Sequence, residues 1–156
     1  RDVTGVQTCA LPISVKILVE ENLNTYVEIK KPGIIKSTEE FVEWSERDGW
    51  AHLYLYDKEG KLKNQITQGP WHVEDIVAID EEKRVVYFSA NGKENVNATT
   101  KEDPYYLHLY KVNLDGSGLQ LLNAGNFDHS FMMNDKKSYF VNTSSRINSK
   151  IGRAHV

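Results

Sequence analysis

Histidines are the most chemically versatile residues of this 156-residue sequence, which contains five of them. His52 and His108 each begin a His-Leu-Tyr sequence, which indicates equivalent positions in a repeat and a packing role rather than proton transfer. His72 and His129 lack a His-x-x-x-His partner, so their spacing does not predict a metal site. A glycine-rich phosphate loop is also absent from the sequence. The sequence therefore predicts neither a metal nor a cofactor.

Nucleophiles and paired carboxylates are the next candidates for chemistry. The sequence contains no Gly-x-Ser-x-Gly, so it predicts no nucleophile elbow. Ser117 lies in Asp-Gly-Ser-Gly, which is typical of a hairpin turn. The pairs Glu39-Glu40 and Glu81-Glu82 have the chemistry to clamp an ammonium group, but both lie in polar, turn-like stretches and are interpreted as solvent-exposed surface. From its residues alone, the chain is predicted to be a scaffold without a reaction centre.

The composition excludes several classes of protein. Hydrophobic residues make up 40% of the chain and aromatic residues 10%, too many for a disordered acidic tail. A formal net charge of -3 and a pI of about 6.0 leave no positive surface for a nucleic acid. No apolar run reaches the ~20 residues that a membrane-spanning helix needs. A single cysteine excludes a disulfide framework.

The elements that would position these residues are short β-strands. Seven runs rich in β-branched or aromatic residues predict strands. They are residues 41–44, 52–56, 76–79, 85–88, 107–112, 121–122 and 139–141. Turns rich in glycine, asparagine and aspartate separate them. Residues 38–45 also have a weak helical capping pattern, but they are interpreted as a loop that enters a strand.

The strands repeat along the chain. The His-Leu-Tyr sequence at 52–54 recurs at 108–110, and further residues match at the same offset. These are Gly60 and Gly116, Gly69 and Gly125, and Trp71 and Phe127. A repeat of this length, with about four strands per unit, predicts the blades of a β-propeller. The predicted fold class is therefore all-β, a partial β-propeller of about two and a half four-stranded antiparallel blades.

The repeat also predicts where the blades begin and end. Residues 71–123 are predicted to form one complete blade, residues 41–67 the end of the blade before it, and residues 127–145 the start of the blade after it. The polar segment 92–104 is a predicted insertion loop at one rim of the complete blade. An arc of this kind leaves apolar faces uncovered, so residues 15–149 alone are expected to aggregate or to be partly molten.

Aromatic residues and glycosylation sequences offer two further surface functions. Five large aromatics have the chemistry of a binding platform, but at blade positions they are interpreted as packing between blades. They are Trp44, Trp50, Tyr54, Tyr56 and Trp71. The sequences Asn97-Ala98-Thr99 and Asn142-Thr143-Ser144 match the acceptor pattern for N-glycosylation, and chance occurrence is the preferred interpretation.

Both ends of the chain read as a translated DNA adapter. One codon choice for residues 151–156 gives a DNA whose reverse complement, shifted by one base, encodes residues 8–12 and begins an isoleucine codon, as at Ile13. That DNA resembles a common short-read sequencing adapter. Residues 1–14 and 150–156 are therefore predicted to be adapter-derived rather than native, and residues 15–149 to be a propeller fragment of a longer protein.

A longer set of residues resembles one protein family. The segments are RDGWAHLYLYD at 47–57, Gly60, ITQG at 66–69, Trp71, VVYFSANG at 85–92, LHLY at 107–110 and LDGSG at 114–118. Together they resemble the propeller of the dipeptidyl peptidase IV branch of the prolyl oligopeptidase family, over essentially all of residues 15–149. The resemblance implies the last blades of an eight-bladed propeller, immediately before an α/β-hydrolase domain.

The resemblance also implies a function and its limits. In this family a Ser-Asp-His triad of the hydrolase domain removes a dipeptide after proline or alanine, and the propeller covers the active site and restricts entry. No triad residue matches a position here, so no catalytic residue is predicted and the chain alone should be inactive. Residues 26–30 correspond to a propeller stretch near the substrate cavity, although they depart from the aromatic-plus-arginine pattern of some relatives. This makes Tyr26 and Lys30 the candidate substrate-binding residues.

Partners and location follow from the same resemblance. It implies the missing propeller blades and the C-terminal hydrolase domain as partners, with peptide substrates reached through the parent protein, and it is compatible with a homodimeric parent. It also implies an extracellular or periplasmic location. The alternative is a free-standing propeller that binds a protein or ligand through its rim loops and catalyses nothing.

Overall fold

A computed structural model describes residues 16–21, 28–96 and 102–146, and the backbone of 149–155. Eleven β-strands and one 3-10 turn, Lys93–Asn95, make up the regular structure of these residues. The strands are β1 Gly33–Ile35, β2 Glu40–Ser45, β3 His52–Tyr56, β4 Leu62–Gln65, β5 His72–Asp80, β6 Val85–Asn91, β7 His108–Asn113, β8 Gln120–Leu121, β9 Asp128–Met133, β10 Phe140–Arg146 and β11 Ser149–His155.

Three antiparallel sheets follow one another along the chain, each formed by consecutive strands. The first blade is β1-β2-β3-β4, the second is β5-β6-β7-β8, and the third is β9-β10-β11. The first strands of neighbouring blades contact one another, β1 with β5 and β5 with β9. Each blade therefore places its first strand innermost, which is the arrangement of a β-propeller.

The predicted all-β propeller is confirmed, and the structure refines its boundaries. Strands β5 to β8 form the complete blade that residues 71–123 predict. The first blade is also four-stranded, because the short β1 pairs with β2 through Gly33↔Val42 and Ile35↔Glu40. In the third blade β11 pairs with β10, and it lies mostly within residues 150–156. Strand pairing uses main-chain N–H and C=O groups, so the pairing of β11 with β10 does not depend on which side chains β11 carries.

The core lies between the first and second blades. Strands β2 and β3 contribute Val42, Trp44, Leu53 and Leu55, and the second blade contributes Trp71, Val73, Val86, Phe88, Ala90, Tyr110 and Val112. Each of these residues is at most 4% exposed. Burial of a large apolar side chain stabilises a fold by about 1.5–3 kcal/mol. The contact between the first and second blades, here called the first seam, is therefore the main source of stability among the described residues.

A glycine-aromatic pair recurs where the chain enters the second and third blades. Gly69 has a φ of 125° and Gly125 a φ of 127°, both in the left-handed region. A Cβ atom at Gly69 would lie 2.6 Å from Nε1 of Trp71, and one at Gly125 would lie 3.2 Å from the ring of Phe127. The matching glycines therefore let the following aromatic ring fold back over the backbone.

Among the described residues, no helix is long and apolar enough to cross a membrane.

Candidate functional site

The blades present two rims. The loop at 46–51, the loop segments 92–96 and 102–107, and the starts of β1, β5 and β9 lie together at one end, here called the insertion rim. Two contacts establish this: the amide of Val73 donates to the Ala51 carbonyl at 2.9 Å, and the amide of Leu107 donates to Oδ1 of Asp128 at 3.2 Å. The opposite end, the turn rim, carries the short turns that connect β1 to β2 and β5 to β6. Loops of this kind are where propellers carry function.

Lys30 lies at the insertion rim, where it connects the first two blades. Its Nζ donates to the main-chain oxygen of Glu74 at 2.5 Å and to Oε1 of Glu74 at 3.0 Å, and lies 3.4 Å from Oε1 of Glu28. The ammonium also lies 5.2 Å from the ring centroid of Trp44. Burial lowers the pKa of Lys30, but the hydrogen bond and charge of Glu74, with those of Glu28, outweigh burial and raise it. Lys30 is therefore held firmly in its charged form. Tyr26, the other candidate substrate-binding residue, lies outside the described residues.

The loop at 46–51 holds an arginine against two tyrosines. The guanidinium carbon of Arg47 lies 4.3 Å from the ring centroid of Tyr54 and 5.7 Å from that of Tyr56. Its Nε donates to Oγ of Ser45 at 2.9 Å. Burial and the nearby Asp48 carboxylate raise the pKa of Tyr54. The cluster is thus a packed cation-π arrangement on the face of the first blade that points away from the second.

Packing between blades is confirmed for two of the five aromatics, Trp44 and Trp71, which belong to the core between the first two blades. Tyr54 and Tyr56 pack within the first blade instead, against Arg47. Trp44, Tyr54, Tyr56 and Trp71 are buried, and Trp44 also donates from Nε1 to the Val73 carbonyl across the seam at 2.7 Å. Trp50 is different, because 47% of it is exposed at the insertion rim. It is the member of the set that remains available for contact with another molecule.

The insertion loop is anchored by side chains at its base. Asn95 donates from Nδ2 to the Glu102 carbonyl at 3.0 Å, and its Oδ1 accepts from the Glu102 amide at 2.9 Å, so one amide side chain mimics a strand pair. The Tyr110 hydroxyl donates to Oε1 of Glu94 at 2.8 Å. Burial raises the pKa of Tyr110, and Glu94 raises it further. The sequence predicts the insertion loop but not these anchoring hydrogen bonds. Tyr110 is 16 residues from Glu94, and the seven-residue separation of Asn95 and Glu102 matches no regular pattern. Asn97 lies outside the described residues.

His52 packs as the repeat predicts. Its Nε2 donates to the Gly69 carbonyl at 2.9 Å, and its Nδ1 accepts from the Thr67 hydroxyl at 3.1 Å. Burial lowers the pKa of His52, and the Gly69 carbonyl and Asp48 oppose this effect. His108 and His129 are also buried, in the seam between the second and third blades. Among the described residues, no group of three or more histidine, cysteine or acidic side chains is arranged to hold a metal ion.

The prediction that Glu39 and Glu40 are both solvent-exposed is wrong for Glu40. Glu40 is 5% exposed and accepts hydrogen bonds from Thr38, Lys63 and Arg84, of which Arg84 belongs to the second blade. Two cations and a hydroxyl satisfy its carboxylate, and this compensates the cost of burying the charge.

Other side chains singled out by the sequence have structural positions. The Ser117 amide and hydroxyl donate to Oδ1 of Asp115 at 2.9 and 2.7 Å, which confirms the hairpin turn. Glu81 lies at the turn rim, where Oε2 accepts from the Ser37 amide at 2.9 Å. Asn142 is 8% exposed and its Oδ1 faces Nδ1 of His129, so it is not accessible for glycosylation in the folded blade. In the described part of the chain, these contacts join blades and close turns.

Comparison with known proteins agrees with this geometry. The family model for the dipeptidyl peptidase IV (DPP IV) N-terminal region matches residues 2–151. Two fungal relatives, from Trichophyton rubrum and Aspergillus flavus, are a dipeptidyl peptidase 4 and a probable dipeptidyl peptidase 4. The first is 32% identical over 83 residues, covering 53% of this chain and 10% of the relative. The second is 31% identical over 93 residues, covering 58% and 11%. The chain therefore spans about a tenth of these relatives.

Solved structures share the fold. Porphyromonas gingivalis dipeptidyl peptidase 4 superposes with a TM-score of 0.66 at 22% identity, over 80% of this chain and 16% of that one. A putative dipeptidyl aminopeptidase IV from Bacteroides ovatus gives a TM-score of 0.63 at 21% identity, over 80% and 19%. At this level of identity the likeness establishes the architecture of the blades.

Proposed function

Since the chain belongs to the family of the dipeptidyl peptidase IV N-terminal region, we propose that it is a noncatalytic propeller segment of a serine exopeptidase. In the parent protein it covers and gates the active site of an α/β-hydrolase domain, and peptide substrates reach that site past its insertion rim. The family match over residues 2–151 is the observation that carries this proposal.

The contacts of the described residues support a gating role rather than chemistry. The buried histidines have packing partners, and the hydroxyl bound to His52 belongs to Thr67, which also accepts from the Leu53 amide and is closed to solvent. A nucleophile must be open to its substrate, and Thr67 is not. The side-chain hydrogen bonds that anchor the insertion loop, and the contacts by which Lys30 joins the first two blades, fix the shape of the insertion rim. A rim of fixed shape is what an entrance that selects substrates requires.

Several properties of the parent belong to the same proposal. We propose an extracellular or periplasmic serine-type dipeptidyl peptidase, compatible with a homodimer, whose other blades cover the open faces of the first and third blades. Tyr26 and Lys30 are its proposed substrate-binding residues in this segment. Residues 1–14 and 150–156 are proposed to derive from a sequencing adapter, with residues 15–149 as the native part.

Long-read sequencing of the parent locus, with adapters trimmed, tests the proposal. We expect a Gly-x-Ser-x-Gly elbow after residue 149, followed by aspartate and then histidine. The expressed parent should cleave a glycyl-prolyl chromogenic substrate, and the 156-residue chain should not. A stop codon soon after the third blade would overturn the peptidase proposal in favour of a free-standing binding propeller.

Two substitutions of Lys30 in that parent distinguish contact with substrate from a role in joining the blades. Lys30→Met should raise KM severalfold with little change in kcat if the ammonium contacts substrate, and Lys30→Arg should restore KM. If Lys30 only joins the blades, both substitutions should leave KM unchanged and Lys30→Met should lower thermal stability.

A further inference from the structure

Two buried polar atoms of the described residues have no hydrogen-bond partner. They are Nε2 of His129, in β9, and Nδ2 of Asn123, which follows β8. The His129 ring is 3% exposed, and its centroid lies 5.2 Å from that of His108, the first residue of β7. The contact between the second and third blades, here called the histidine seam, therefore holds two imidazole rings where water has little access.

The two rings differ in their hydrogen-bond partners. Nδ1 of His129 donates to Oδ1 of Asn142 at 3.0 Å, which leaves the lone pair of a neutral ring on Nε2. Both nitrogens of His108 face acceptors instead, the Asn123 carbonyl at 3.3 Å and Oε1 of Glu102 at 2.8 Å. Glu102 is therefore the acidic partner of the His108 ring in this seam.

The equivalent place in the seam between the first and second blades has different chemistry. The offset that relates His52 to His108 places Val73 at the position of His129. Val73 is fully buried and apolar, and both ring nitrogens of His52 have partners. The unpaired imidazole nitrogen is therefore a particular feature of the histidine seam rather than of the repeat.

We propose that the histidine seam is a pH-sensitive joint, closed while His129 is neutral and loosened when its Nε2 takes up a proton. Nε2 makes no hydrogen bond in the closed seam, so a proton there would add a buried charge beside the ring of His108, opposed only in part by the Gly125 carbonyl. The charged and titratable groups acting on His129 are His108 of β7, Asp128 of β9 and, through His108, Glu102 of the insertion rim; β10 contributes the neutral Asn142. The joint does not depend on the proposed peptidase function.

The direction of the pH response follows from proton linkage. Burial lowers the pKa of His129, and the nearby His108 ring lowers it further. The hydrogen bonds of Asn142 and of the Gly125 carbonyl and the charge of Asp128 oppose this, but the net shift is downward. An opened seam exposes a histidine with a pKa near the ordinary 6.5, so the open form binds more protons than the closed form as pH falls. The seam is therefore expected to be fully closed above that value and to weaken below it.

Hydrogen–deuterium exchange of the 156-residue chain tests the proposal, because it reports local opening in monomers and oligomers alike. After correction for intrinsic rates, the amides of β7, β9 and β10 should exchange faster at pH 5 than at pH 7.5. The expected acceleration is up to about tenfold for each unit by which the pKa of His129 is lowered. Equal protection at both pH values, or no protection of these strands at pH 7.5, would overturn the proposal.

Two substitutions isolate His129 from the other titrating groups. His129→Val installs the residue of the equivalent position in the first seam, and His129→Gln keeps a donor for Asn142 that does not titrate. Both should reduce the acid response of the histidine seam, where His108 remains, and leave that of the first seam, where His52 lies, unchanged. A response of undiminished size in both variants would overturn the proposal. So would an NMR titration that gives His129 a pKa at or above that of a free histidine.

Discussion

Glu40 shows how a single buried charge can join two blades. Its side chain is 7% exposed, and its three partners come from the turn before β2, from β4 and from the second blade. Burial raises the pKa of Glu40, but hydrogen bonds from Lys63, Thr38 and Arg84 outweigh burial and lower it from 4.5 to about 2. The folded chain therefore binds this proton more weakly than the unfolded chain does.

Replacement of Glu40 should lower stability in a pH-dependent way. The stabilising contribution of the carboxylate is fully present above pH 4.5 and is lost as pH falls towards 2. Because Lys63 and Arg84 are 45% and 42% exposed, solvent screens the interaction, and Glu40→Gln is expected to cost about 1–2 kcal/mol at pH 7. The difference from wild type should shrink below pH 4.5, measured as the urea midpoint by circular dichroism.

Glu39→Gln is the matched control for this prediction. Its side chain is 71% exposed and lies 3.6 Å from Lys58, so the substitution should change stability by less than about 0.5 kcal/mol. Equal effects of the two substitutions would contradict the assignment of Glu40 as the carboxylate that joins the blades.

Trp44 makes a second single-residue connection across the first seam. Trp44→Phe keeps an aromatic ring in the core but removes the Nε1 donor to the Val73 carbonyl, so we expect a loss of about 1–3 kcal/mol. The exposed Trp50 provides the control, since Trp50→Phe should leave the urea midpoint nearly unchanged. A midpoint unaffected by Trp44→Phe would show that the hydrogen bond contributes nothing net to the seam.

At the scale of strands, a side-chain oxygen extends the edge of each complete blade. In the first blade the Leu53 amide donates to the Thr67 hydroxyl at 3.0 Å, and in the second the Leu109 amide donates to Oδ1 of Asn123 at 2.6 Å. Thr67 and Asn123 match at the repeat offset. Different side chains therefore satisfy the same buried main-chain donor after the outer strand ends.

This equivalence predicts opposite outcomes for two similar substitutions. Asn123→Thr should be tolerated within about 1 kcal/mol, because threonine makes this bond in the first blade. Asn123→Val differs from it by a methyl group in place of the hydroxyl, and should cost about 1–3 kcal/mol more because the Leu109 amide loses its acceptor. Urea midpoints of the two variants measure the difference. Equal midpoints would show that water, rather than residue 123, satisfies the Leu109 amide.

Sequence patterns predict the apolar strands and miss the polar ones. The strands β2, β3, β6 and β7 carry alternating or continuous aromatic and β-branched residues, so composition alone identifies them. Strand β4, Leu62–Gln65, has one apolar residue and becomes a strand because β3 pairs with it. The burial of Glu40 is missed for a related reason, since Lys63 and Arg84 approach it only after the blades pack.

At the scale of the whole molecule, the two end blades have faces that no blade of the described chain covers. On the third blade Met132 is 75% exposed, beside Val141 and Thr143, in a groove of about 290 Å³. On the first blade Ile34 is 60% exposed at β1. The second blade has a neighbouring blade on each side, whereas these end faces have none and are apolar surfaces that favour association.

We therefore expect the isolated chain to self-associate at micromolar concentrations. Light scattering after size exclusion should show oligomers that grow with protein concentration, and the dye ANS should bind them. Met132→Lys should reduce association severalfold, because it places a charge on the open face of the third blade. Tyr105→Lys is the control, since Tyr105 is 82% exposed but lies on the insertion loop rather than on a blade face. A monomer with a sharp cooperative melt would contradict this prediction, because the contact between the first two blades would then be sufficient to hold the fold without covered ends.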